Sequence, residues 1–99
     1  MVAARQKIGR MTRLTVDYDR HADVLYIALG RPVPDEGEER PQGVILRFAL
    51  KDGAPTGVTV VGFNHNHWPS RLLELSLLVS QHLHVDPIEV DRALGKLLK

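Results

Sequence analysis

Residues 14–18 alternate, with Leu14, Val16 and Tyr18 on one side and Thr15 and Asp17 on the other, which is the period of a strand. The polar run 19–23 reads as a hairpin turn, and residues 24–29 return as a second strand with Leu25, Ile27 and Leu29 on one face and Val24, Tyr26 and Ala28 on the other. Residues 30–42 hold Pro32, Pro34, Pro41, Gly37 and the acids Asp35, Glu36, Glu38 and Glu39, a composition that predicts a solvated loop. Alternation resumes over residues 44–50, Asp52-Gly53 supplies a hairpin turn, and residues 56–63 form a fourth strand. The short connections predict an antiparallel meander.

After Pro69 the period lengthens. Leu72, Leu75, Val79 and Leu83 fall on one helical stripe, which Leu73 and Leu77 widen beyond what a half-exposed helix needs. Asp86-Pro87-Ile88-Glu89 then combines an N-cap, a proline at the first helical position and an early acid, so a second helix is expected from Pro87 to about Leu98. Its apolar stripe is Val90, Leu94, Leu97 and Leu98. The fold class is α+β: a four-stranded antiparallel sheet followed by two C-terminal helices.

Residues 13–99 form this single domain, and residues 1–12 read as a flexible basic arm carrying Arg5, Lys7 and Arg10. Met11 is an alternative start, just before the first patterned segment. With 99 residues, 43% of them hydrophobic, the chain has room for one core only. Thirteen Lys and Arg against twelve Asp and Glu leave a net charge of +1, too little for a general polyanion-binding field. Zero cysteines exclude thiolate chemistry and Cys-based metal sites. The chain shows no apolar run of membrane-spanning length and no secretory leader, so a cytoplasmic protein without membrane contact is expected.

One face of the sheet is covered by the first helix. The other carries Val24, Tyr26, Ala28, Ile45, Ala49 and Val61, too apolar to face water, so the second helix or a second subunit should bury it. A homodimer is expected, with Val24, Tyr26, Ala28, Ile45, Leu73 and Leu77 at interfaces.

Three sets of residues carry candidate chemistry. His65 and His67 share a face if the fourth strand continues through them, and neutral imidazole ligates zinc or nickel. A metal site there needs His82, His84 or His21 to converge on the pair; the competing reading is a polar strand-to-helix connection in which Asn66 or His67 caps the helix and Trp68 anchors it. Asp17, Asp19 and Asp23 cluster at one turn, where Asx-turn chemistry accounts for them more simply than acid–base work. Residues 76–95 fit the general pattern of a helix-turn-helix, in which Arg92 and Lys96, with Arg5, Lys7 and Arg10 of the arm, would contact phosphate. Glu89 and Asp91 at the start of that helix oppose phosphate, and His84 stands where such turns usually carry glycine. The chain holds no Gly-rich phosphate loop and no nucleophile elbow, so no catalytic residue is assigned, and no cofactor is expected.

Residues 16–62 resemble the bacterial family known as domain of unknown function 2283. Tyr18-Asp19-Arg20-His21-Ala22-Asp23-Val24-Leu25-Tyr26-Ile27 is similar to that family's Tyr-Asp-x-x-Ala-Asp-x-Leu-Tyr-Ile signature, joined by Gly43-Val44-Ile45-Leu46 and by Gly57-Val58-Thr59-Val60 in place of the usual Val-Gly-Ile-Glu. The family has no settled activity. The resemblance implies a small β-meander with a helix and an antitoxin-like, partner-binding role, the partner being a toxin-like protein. The basic arm, the histidine-rich segment and the longer helical end depart from the family pattern. The reading is therefore a non-enzymatic binding module, with a DNA-binding regulator and a histidine-based metal-binding protein as alternatives.

Overall fold

A computed structural model of the chain describes residues 14–97. Strands β1 (Leu14–Asp19), β2 (Val24–Leu29), β3 (Asp35–Glu39), β4 (Val44–Ala49) and β5 (Pro55–Val61) precede helices α1 (Leu72–Leu83) and α2 (Pro87–Leu97). The arm with Arg5, Lys7 and Arg10, and the alternative start at Met11, lie outside the described residues.

The sheet has five strands rather than the expected four. The acids of Asp35–Glu39 give no apolar alternation and predict a loop, yet the segment pairs antiparallel with β4, Asp35 opposite Ala49 and Glu39 opposite Ile45. Backbone pairing and the grip of Arg47 on Asp35 hold it at the edge. The order is β1-β2-β5-β4-β3 with antiparallel neighbours, so β5 lies between β2 and β4 and the sheet is not a simple meander. β5 is the most deeply buried strand, continuously so from Gly57 to Val60, and the centre is where such a strand belongs. Gly57 permits the close pairing, because a Cβ there would overlap the Ile27 carbonyl oxygen.

Both helices cover one face. Leu75, Val79 and Leu83 of α1 and Val90 and Leu94 of α2 join Leu25, Ile27, Val44, Val58, Val60, Phe63 and Trp68 in a single core. Leu14 and Val16 of β1 pair with Leu29 and Ile27 and pack against that core from the same side. Each fully buried Val or Leu of this kind contributes roughly 1.5–3 kcal/mol. α1 starts at Leu72, after a 3-10 turn at Trp68–Arg71, not at Pro69, and no side chain caps it. Asp86 caps α2 as expected, its Oδ1 accepting the Ile88 N–H at 2.9 Å. No helix among the described residues is long and apolar enough to cross a membrane.

Ser76 is an exception inside this core. It is fully buried on α1, and its hydroxyl has no hydrogen-bond partner among the described residues. A buried, unpaired hydroxyl costs about 1–3 kcal/mol, and alanine is also the better helix former. Ser76→Ala is therefore expected to raise the unfolding free energy by about 1–2 kcal/mol, read as a higher urea midpoint with unchanged slope; a lower midpoint would show that the hydroxyl is satisfied.

Candidate functional site

The second helix does not bury the far face of the sheet. It packs over β1 in the same layer as α1, which leaves that face uncovered by the described residues. The strand register sets its pattern: one row across the sheet reads Asp17, Tyr26, Thr59, Ile45 and Glu39. A neighbouring row reads Asp19, Val24 and Val61. Apolar residues thus flank a buried Thr59 at the centre of the first row, and carboxylates stand at both of its edges. Tyr26 and Val61 are each 45% exposed, high for large side chains in the middle of a sheet. Val24, Ala28 and Ile45 are half-buried beside them. Leu73 and Leu77, the other expected interface pair, lie on the outer side of α1 at 69% and 47% exposure. The two apolar patches therefore do not form one surface.

At one end of the open face lies a polar cluster that the sequence pattern did not reveal. Arg47 Nη2 donates to Asp35 Oδ1 at 2.7 Å, its Nε donates to the same carboxylate at 3.1 Å, and the Thr56 hydroxyl donates to Asp35 Oδ2 at 2.8 Å. The Arg47 hydrogen bonds, helped by Thr56, hold the Asp35 carboxyl below its ordinary range against a desolvation that pushes the other way. The same contact raises Arg47. This cluster floors a depression of about 440 Å³ that Tyr26, Ala28 and Arg31 also line. Only the pairing of an acidic edge strand with β4 brings Asp35 to Arg47, and no local motif encodes that.

The acids of the first turn are structural. Asp19 Oδ1 accepts the N–H groups of His21 and Ala22, both at 3.1 Å, which is an Asx-type turn. Asp23 reaches further. Its Oδ1 accepts the Tyr18 hydroxyl and the Asn64 N–H, both at 2.8 Å, and its Oδ2 accepts the His65 N–H at 3.1 Å. Its own backbone carbonyl accepts the N–H groups of Gly62 and Phe63. Asp23 takes φ +58°, and Asp is among the residues that tolerate this region. The first hairpin is thereby tied to the β5–α1 connection.

The histidines do not converge. β5 ends at Val61, so His65 and His67 lie on no strand; both are exposed, and His67 stands at φ +62° before the 3-10 turn. Neither caps α1. Asn66 Nδ2 instead donates back to the Val61 and Gly62 carbonyls, and the His67 carbonyl accepts the Ser70 hydroxyl. Trp68 is buried, its indole N–H donating to the Gln42 carbonyl at 3.0 Å and the Arg71 guanidinium lying 4.1 Å from its ring centroid. His82 packs edge-on against Phe48, with Nε2 3.0 Å from the Arg47 carbonyl oxygen. His84 closes α1 at φ +59°, in the turn position where a glycine is usual. Among the described residues no group of three or more His, Asp or Glu side chains could hold a metal ion.

Arg92 and Lys96 sit on the surface of α2 beside Glu89, flanking a groove along β1. The chain matches no known family model, no curated protein and no solved structure.

Proposed function

We propose that this protein is a non-enzymatic binding module and that the open sheet face receives a partner protein. One observation carries the reading: a patch of apolar side chains, with Tyr26 and Val61 in neighbouring rows the most exposed, is left uncovered by the described residues on the sheet face away from both helices. Tyr26 has the makings of an anchor, since aromatic side chains at the centre of a patch dominate binding energy.

The edge charges define the partner's chemistry. A second copy stacked on this face about a two-fold axis along the strands would set Asp17 against Glu39 of its mate. An axis across the strands would set Asp17 against Asp17. Both arrangements oppose like charges, so the favoured occupant is a different protein with an apolar centre and flanking Lys or Arg. The resemblance to the domain of unknown function 2283 family belongs to the same proposal. Its support is that Tyr18, Asp19, Asp23, Gly43 and Gly57 each hold the fold, as residues of a scaffold signature should.

Affinity capture on the immobilised full chain, from the cells in which it is native, tests the reading. A basic protein retained by the wild type should bind Y26K/V61K about thirtyfold more weakly and should still bind L73K/L77K on the outer side of α1. Retention by Y26K/V61K together with loss on L73K/L77K would move the interface to the helices and overturn the proposal.

A further inference from the structure

The two edges of the sheet are protected differently. β3 presents Asp35, Glu36, Glu38 and Glu39, a row of like charges that repels any second strand of the same kind. β1 is six residues long, carries no lysine, proline or bulge, and among the described residues pairs on one side only. A groove of about 470 Å³ lies between the strand and α2, lined by Leu14, Val16, Ala93 and Leu97 together with Glu89, Arg92 and Lys96. An exposed strand edge beside a groove of mixed apolar and charged lining is a geometry that can accept a further strand.

We propose that β1 pairs with β1 of a second copy, antiparallel about a two-fold axis at Val16, to make one continuous ten-stranded sheet. The register follows from length, parity and charge: centring on Val16 or Asp17 pairs five of the six residues of β1, and any other centre that keeps parity pairs fewer. In an antiparallel pair, opposed residues share a face, so only registers that keep Leu14, Val16 and Tyr18 on the helix side are allowed. Centring on Asp17 would set that carboxylate against itself. Centring on Val16 opposes Leu14 to Tyr18, Val16 to Val16 and Thr15 to Asp17, with no like charges facing each other. The two-fold also runs the two α2 helices antiparallel. Reversing the stripe Glu89, Arg92, Lys96 brings Glu89 of one copy toward the Lys96 end of the other. Pairing at this edge leaves both open faces free and side by side, so it is independent of what those faces bind.

Position 15 tests the pairing, because Thr15 is exposed and faces Asp17 of the mate twice in each dimer. By sedimentation equilibrium of the full chain, wild type should dimerise, T15E should weaken the dimer about tenfold, and T15K should tighten it by several-fold. Glutamate and lysine are both ordinary exposed-strand substitutions, so a general loss of strand propensity moves the two variants in one direction, whereas an acid of the mate opposite position 15 moves them apart. Far-UV circular dichroism confirms that each variant is folded. Y26K/V61K should dimerise like wild type. A monomeric wild type, T15E and T15K shifting alike or not at all, or a dimer split by Y26K/V61K would each overturn the proposal.

Discussion

Gly43→Ala is expected to destabilise the domain by about 3 kcal/mol, whereas Gly53→Ala should cost only about 1 kcal/mol. Both glycines have left-handed backbone, at φ +82° and +76°. They differ in what a methyl group would meet. At Gly53, in the exposed β4–β5 turn, nothing lies within 4 Å of the added carbon. At Gly43 the carbon would overlap the backbone carbonyl of Val61, with the Asn66 side chain 3.1 Å away. A backbone carbonyl cannot rotate aside as a side chain can, so the chain must move. The movement would propagate, because the preceding residue, Gln42, is itself at φ +63° and its carbonyl receives the Trp68 indole. Urea unfolding of the two variants against wild type measures the difference. Equal losses would show that only the left-handed conformation matters and that the Gly43–Val61 approach does not.

The two interior strands that enclose β5 and the start of α2 were legible, the strands and the helix because burial imposes a period, written in Leu25 and Ile27, in Val44 and Leu46, and in Val90 and Leu94. β3 was not legible for the complementary reason. It buries almost nothing, so no apolar alternation marks it, and its place depends on a partner strand and on one cross-strand ion pair. The position of β5 between β2 and β4 is likewise a long-range property; sequential neighbours usually pair, and here β2 skips to the most deeply buried strand. The histidines show a third limit. His-x-His spacing records which residues are close along the chain, while the structure engages His82 with Phe48 and the Arg47 carbonyl and leaves His65 and His67 outside.

For the open face, the apolar positions were readable and their edge charges were not. Val24, Tyr26 and Ala28 stood out as a second apolar face on one strand, but Glu39 entered the row only once its segment proved to be a strand. That addition changes the favoured occupant from a second copy to a partner with flanking cations, since acids at one edge could be offset by symmetry and acids at both edges cannot.

Asp23→Asn is expected to give the largest loss of stability among single substitutions of the surface carboxylates, larger than Asp19→Asn. Asp19 closes a turn within its own hairpin. Asp23 joins segments 41 and 42 residues apart in sequence, through Asn64 and His65. An amide at position 23 offers one carbonyl oxygen where the carboxylate offers two, and it places an N–H against a backbone donor. The pH dependence separates this loss from a general one. The Asn64 N–H foremost, then the Tyr18 hydroxyl and the His65 N–H, hold the Asp23 carboxyl below its ordinary range. A carboxyl lowered on folding stabilises the protein fully above the unfolded value of about 4 and loses that contribution as pH falls through the folded value. The difference in Tm between wild type and Asp23→Asn should therefore be greatest near neutrality and shrink on acidification. Asp35, held low chiefly by Arg47, keeps an acid-sensitive contribution in both proteins. The other partner reports in the alkaline range: hydrogen bonding to the Asp23 carboxylate raises the Tyr18 phenol, so in Asp23→Asn one of the two tyrosines should ionise at lower pH than in wild type. Ultraviolet titration of the phenolates reads that shift directly, and identical titrations in the two proteins would show that the Tyr18–Asp23 bond does not form.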